Sequence, residues 1–169
     1  MVGLLLGGCD LMSGQATPAP VAQGYIAFLG PGYSIQVPTE WRQVSNEQFQ
    51  ALFLAPAADG FSPNLGVSLE PTLADTTIVD IAASAKRSQS EAYDKYQVIS
   101  EQEMTVSDQP AYKRVYQWHD PDSDLDVTQV QLFVKQKDTL YMLTGTSLTQ
   151  SYPAYGPVFE YMLSTFVLR

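Results

Sequence analysis

The stretch from residue 98 to residue 147 constrains this chain most, because it reads as four strands in series. Residues 98–106 and 111–118 flank Ser107-Asp-Gln-Pro110, and residues 127–135 and 139–147 flank Gln136-Lys-Asp138. Both connectors are built from residues that favour turns. In the third strand Thr128, Val130, Leu132 and Val134 share one face, opposite Gln129, Gln131 and Lys135. That alternation predicts one packed face and one wetter face. Upstream, Tyr33-Ser-Ile-Gln-Val37 alternates until Pro38 stops it, and residues 64–70 form another strand candidate. Residues 49–55 (FQALFLA) fit either a strand or a helical turn.

Two helices complete the pattern. Over residues 77–93, Ile78, Ile81, Ala82, Ala85 and Ala92 fall on one face. Thr77 followed by Asp80 resembles a capping box with Asp in the Glu position. Over residues 157–166 the apolar stripe is Phe159, Met162, Leu163 and Phe166, with Gly156-Pro157 as a natural start. A mostly antiparallel sheet with helices packed on it, an α+β layered fold, follows.

Charge and rare residues exclude several functions. The chain has 169 residues, 18 acidic against 9 basic side chains and a formal net charge of −9. Only Arg42 is positive in the first 85 residues, so the basic patch of a nucleic-acid binder is missing. One cysteine, Cys9, precludes a disulfide framework, and one histidine, His119, is the only candidate for a histidine-dependent catalytic site. At 45% hydrophobic and 16% charged residues, the composition is that of a globular protein.

The N-terminus carries an address. Residues 1–9 form a short apolar run ending in Leu6-Gly7-Gly8-Cys9, which is similar to the lipobox of bacterial lipoproteins, whose cysteine is lipidated. The basic n-region of a signal peptide is absent, so the run reads as a signal-peptide remnant. It is too short to span a bilayer, which takes about 20 apolar residues. Residues 10–24 (DLMSGQATPAPVAQG) are small, polar and proline-bearing, as a flexible tether would be. An acidic chain would then be held at a membrane by lipid on Cys9 rather than by charge.

Two clusters could carry chemistry. Asp120, Asp122 and Asp124 follow His119 and mimic positions 1, 3 and 5 of an EF-hand loop, but Leu125 replaces the required Gly and Gln131 the bidentate Glu. A solvated loop is one reading, and adventitious divalent-metal binding through His119, Asp120, Asp122 and Asp124 is the other. Tyr112, Tyr116 and Trp118 share a strand face with Arg114 between them. They would form either an interaction platform or a face covered by a helix. The sequence contains no P-loop and no G-x-S-x-G motif.

Several motifs recur in one family order. Gly32-Tyr33-Ser-Ile-Gln-Val-Pro38-Thr-Glu-Trp41 resembles the G-Y-x-φ-x-x-P-x-x-W opening of PsbP-like proteins, where φ is apolar. Asn64-Leu-Gly-Val-Ser-Leu-Glu-Pro71, Asp108-Gln-Pro-Ala-Tyr112, Asp138-Thr-Leu-Tyr141-Met-Leu143, and Tyr152-Pro153 with Phe159-Glu160 are similar to later segments of that family. The superfamily includes CyanoP-like and DcrB-type bacterial lipoproteins. The resemblance implies a central antiparallel sheet sandwiched between helices, one domain over residues 25–169, and no shared catalytic constellation. The expectation is a non-catalytic, membrane-anchored extracytoplasmic lipoprotein without a resident cofactor. It would be a monomer that binds or helps assemble an unidentified membrane or envelope protein complex. The compartment would be periplasmic, thylakoid-lumenal or cell-surface. The alternatives are a photosystem II-associated protein and a metal-dependent enzyme centred on His119.

Overall fold

In a computed structural model of the chain, residues 20–58 and 60–169 are described. The tether expected over residues 10–24 gives way to ordered contacts by Pro20. The Gln36 side chain accepts from the Ala22 N–H (3.0 Å) and donates to the Pro20 carbonyl (3.1 Å). Cys9 and the rest of the expected tether lie outside the described residues.

The strands expected from alternation form, and they lengthen. β1 (Tyr25–Gly30) and β2 (Tyr33–Pro38) make a hairpin, joined on the far side of β2 by the short β10 (Val167–Leu168). The second sheet has seven strands, β3 (Arg42–Val44), β4 (Ala51–Leu54), β5 (Asn64–Pro71), β6 (Asp94–Val106), β7 (Gln109–Asp120), β8 (Leu125–Gln136) and β9 (Thr139–Leu148). All pair antiparallel, in the order β3-β4-β5-β9-β8-β7-β6. Residues 49–55 are therefore a strand at their centre. The turn after β6 contracts to Ser107 and Asp108, both at positive φ (49° and 60°), and Gln109 and Pro110 join β7. Two consecutive left-handed residues give the primed turn that matches strand twist.

Helix α1 (Ile78–Ala92) carries the chain from β5 to the far edge at β6 and covers one face of the sheet. The capping box forms. The Asp80 N–H donates to Thr77 Oγ1 (3.1 Å), and that hydroxyl donates to the Asp80 carboxylate (2.6 Å). Helix α2 (Tyr152–Ser164) packs on the other face, together with the three-stranded sheet. It starts five residues before the expected Pro157, with Pro153 in the first turn and Pro157 inside the helix. Pro157 donates no ladder hydrogen bond there. Burial of Phe159, Met162 and Leu163 offsets that loss.

The main core lies between α2, β2 and the large sheet. β2 is buried along its whole length, with Tyr33, Ile35 and Val37 at its heart. Trp41 meets Phe159 edge to face at 5.9 Å, and Val130, Leu132, Val134 and Leu143 form the floor. The wetter face expected on β8 is not wet. Gln131, Phe133 and Lys135 are buried there, because α1 lies over them. Alternation identified the two faces correctly, but a polar face can still be covered when its hydrogen bonds are met internally.

A close approach at Gly145 sets the position of α2. A Cβ at residue 145 would lie 2.7 Å from the Phe159 ring and 3.0 Å from Val130. Gly145→Ala is expected to overpack this seam and destabilise the fold by about 1–3 kcal/mol, read as a lower urea midpoint with an unchanged m-value.

Candidate functional site

The period-2 geometry of β7 puts Tyr112, Arg114, Tyr116 and Trp118 on the face that α1 covers. The open platform is thereby corrected to the covered face. Arg114 is 1% exposed and Tyr116 is fully buried. Small Ala82, in the second turn of α1, lets the helix come close enough for its carbonyl to accept from Arg114 Nη2 (2.5 Å). Arg114 Nε donates to Glu101 Oε1 on the neighbouring strand (2.8 Å), and Nη1 donates to Gln89 Oε1 (3.2 Å). Lys86 on α1 donates to the other Glu101 oxygen at 2.7 Å. The guanidinium also lies 5.8 Å from the Tyr112 ring centre and 6.0 Å from that of Phe133.

The polar layer continues along the sheet. Gln89 Nε2 donates to Gln131 Oε1 (2.8 Å) and to the Tyr116 hydroxyl (3.2 Å), which in turn donates to Gln129 Oε1 (2.5 Å). Gln131 and Gln129 donate onward to Thr144 and Thr146 of β9. At the start of α1, the Lys135 ammonium donates to the carbonyls of Leu73, Ala74 and Thr76. Side-chain partners thus hold the helix to the sheet at both ends and in the middle. Sequence reasoning missed Glu101, Gln89 and Lys135 as members of this network. Their lateral neighbours across the strands, Glu101 opposite Arg114 above all, depend on register, which single strands do not display.

Burial works to raise the Glu101 pKa, but hydrogen bonds from Lys86 and Arg114 and their positive charge outweigh it and hold the carboxyl below its ordinary value. Burial pushes the Tyr116 phenol far above the usual tyrosine range, so it stays a neutral donor. At the end of the layer Tyr93, the residue closing α1, stacks on Trp118 at 4.4 Å, and Tyr96 lies 5.2 Å from Tyr116.

The acidic segment forms the hairpin end between β7 and β8. His119 is opposite Asp126 in the ladder, and its Nδ1 lies 2.8 Å from the Asp126 carboxylate. Asp124 approaches Nε2 at 3.6 Å. Asp120 turns the other way. It accepts from the Ser123 hydroxyl (2.5 Å) and the Asp122 N–H (3.2 Å), and the Ser123 bond chiefly lowers its pKa. His119, Asp120, Asp122 and Asp124 therefore do not converge, because the turn takes up the Asp120 carboxylate and strand pairing takes the imidazole. Among the described residues, no group of three or more His, Cys, Asp or Glu side chains is arranged to hold a metal ion.

One surface feature had no signal in the sequence. A shallow depression at the opposite edge of the large sheet is lined by Gln43, Val44, Ser45, Asn46, Phe49 and Gln50. Tyr33 anchors its floor by donating to Gln50 Oε1 (2.6 Å).

An antiparallel sheet held between a helix bonded to it through polar side chains and a second helix packed by apolar ones defines a PsbP/DcrB-like α+β protein. The DcrB family model matches residues 33–163, and the chain belongs to that family. Solved structures agree in fold. CyanoP of Synechocystis sp. PCC 6803, a cyanobacterial PsbP, is 14% identical, with 93% of this chain and 99% of that one covered and a TM-score of 0.67. LpqN of Mycobacterium tuberculosis, described as involved in cell envelope biogenesis, is 13% identical, with 90% and 89% covered and a TM-score of 0.66. PA94 of Pseudomonas aeruginosa, a protein of unknown function, is 17% identical, with 86% and 97% covered and a TM-score of 0.64. The sequence matches no curated protein.

The Arg114 network makes two predictions. Glu101→Gln leaves a buried guanidinium with neutral acceptors only. It should cost about 2–3 kcal/mol in chemical denaturation, somewhat below the range for a fully buried pair because Glu101 keeps some solvent contact. The pH dependence has a definite sign. A carboxyl with a lowered folded pKa contributes stability that is complete above its unfolded value, about 4.3, and is lost as pH falls toward the folded value. Thermal midpoints should therefore drop between about pH 5 and pH 3 in the parent, with a shallower slope in Glu101→Gln.

Proposed function

We propose that this protein is a non-catalytic, membrane-anchored extracytoplasmic lipoprotein that binds or helps assemble a membrane or envelope protein complex. The observation that carries the reading is the pairing of Leu6-Gly7-Gly8-Cys9 with a folded domain that already holds the chain at Pro20, eleven residues further on. A lipid on Cys9 would hold the DcrB domain close to a bilayer. The ionisable groups of the most buried polar cluster support the same view. Arg114, Glu101, Lys86 and Lys135 are engaged in joining α1 to the sheet, which is a scaffold's use of charge. The description of LpqN as involved in cell envelope biogenesis agrees with an envelope setting.

Two measurements test the proposal. In cells fed a fatty-acid analogue, the protein expressed with a complete signal sequence should take up label at Cys9, and Cys9→Ala should take up none. Crosslinking in native membranes followed by mass spectrometry should recover one or more membrane or envelope proteins. Unlabelled Cys9 would remove the anchor, and recovery of no such protein would remove the partner.

A further inference from the structure

We infer that the outer edge of β1 receives an extended, uncharged strand of another protein, adding a fourth strand to the small sheet. This rests on the partner-binding reading above and says where and how the partner docks. The ladder fixes which groups face outward. The Thr39 N–H donates to the Gly24 carbonyl at 2.9 Å, and pairs alternate from there. Ile26, Phe28 and Gly30 therefore exchange bonds with β2, whereas Tyr25, Ala27 and Leu29 turn their N–H and C=O groups away from it. The Tyr25 N–H is met by the Ala22 carbonyl (3.1 Å). Among the described residues, no partner meets the N–H and C=O of Ala27 and Leu29.

The edge is also unprotected. Strand edges are ordinarily blunted by charge, bulges or shortness. β6 has Asp94, Lys95, Glu101 and Glu103 and two register shifts. β3 has three residues and starts at Arg42, and β10 has two, with the Leu168 N–H held by Ser107 Oγ. β1 reads Tyr-Ile-Ala-Phe-Leu-Gly, six regular residues without charge. It lies in a run from Pro20 to Thr39 that has no charged residue, within a chain of net charge −9. Ile26 is 51% exposed and Leu29 61%, and strand alternation puts them on opposite faces. Exposure on both faces beside an open ladder is the pattern of a sheet lacking its next strand.

The occupant follows from what such an edge needs. Hydrocarbon could cover Ile26 and Leu29 but cannot bond to the open N–H and C=O groups. A second copy would bring together two molecules of net charge −9. A strand from another protein supplies hydrogen bonds and apolar cover together, and residues 20–39 offer no charge to pair with one on that strand, so a charged residue laid against Ile26 or Leu29 would lose water without compensation.

The test uses the full-length, anchored protein in its own membranes, with a photo-crosslinking residue at Leu29 and, separately, at Val79 on α1. The Leu29 probe should form an adduct with an uncharged segment of one other protein. A synthetic peptide of that segment should then slow amide exchange at Ala27 and Leu29 by about tenfold in the purified protein. Ala27→Pro removes an outward N–H while leaving the β1–β2 ladder intact. It should abolish the adduct and the slowing at Leu29 at an unchanged thermal midpoint, and Leu29→Lys, without the probe, should weaken the slowing at Ala27. The inference is overturned by a Leu29 adduct with lipid or a second copy, by no adduct, or by binding that survives Ala27→Pro. Partner adducts from Val79 alone would leave partner binding standing while removing the β1 edge. A Leu29 adduct in a protein that takes up no fatty-acid label would do the reverse for the anchor.

Discussion

A guanidinium buried between a helix and a sheet must find acceptors or unfold its surroundings, and Arg114 finds them on both sides. Glu101 lies beside it on the sheet, and Gln89 and the Ala82 carbonyl lie above it on α1. α1 is the long crossover that carries the chain from β5 to β6, so the position of every later strand depends on where it lands. Hydrophobic burial alone would let such a helix slide, since apolar attraction has no direction. Directional bonds to Arg114, Gln131 and Lys135 define one landing position.

The two faces of the large sheet are built on different principles. The α2 side is a conventional apolar interior in which Phe159, Trp41 and Tyr33 interlock around Gly145. The α1 side combines a small apolar cluster of Ile78, Phe133 and Leu140 with the polar network. Membership of the DcrB family accounts for the arrangement as a whole. Likeness to CyanoP and LpqN at 14% and 13% identity shows how far sequences can diverge while keeping this frame.

Much of this was legible in the sequence because the signals were local. Alternation in residues 127–135, the Thr77–Asp80 cap and the stripe from Phe159 to Phe166 each report on a few neighbouring residues. β1 escaped because Tyr25-Ile-Ala-Phe-Leu-Gly does not alternate, and β3 because three residues carry no period. The start of α2 was misplaced because Pro157 looks like a first-turn proline, while Pro153 occupies that turn. At the candidate site, the shared face of Tyr112, Arg114, Tyr116 and Trp118 was readable. Its covering and its partners were not, because both depend on where a helix distant in sequence comes to rest. The Asp-rich hairpin left two readings open, a solvated loop and a metal site, because spacing along the chain does not say which groups meet. Antiparallel pairing directs His119 to Asp126, and the turn directs Asp120 to Ser123.

The grip of Gln36 on Pro20 and Ala22 has a consequence for any chain held at Cys9. It fixes where the chain joins the domain: Pro20 can lie no farther than about 40 Å from Cys9, the span of eleven residues fully extended. Such a leash confines the domain to a limited volume above its attachment point and raises its effective concentration toward anything rooted in the same surface.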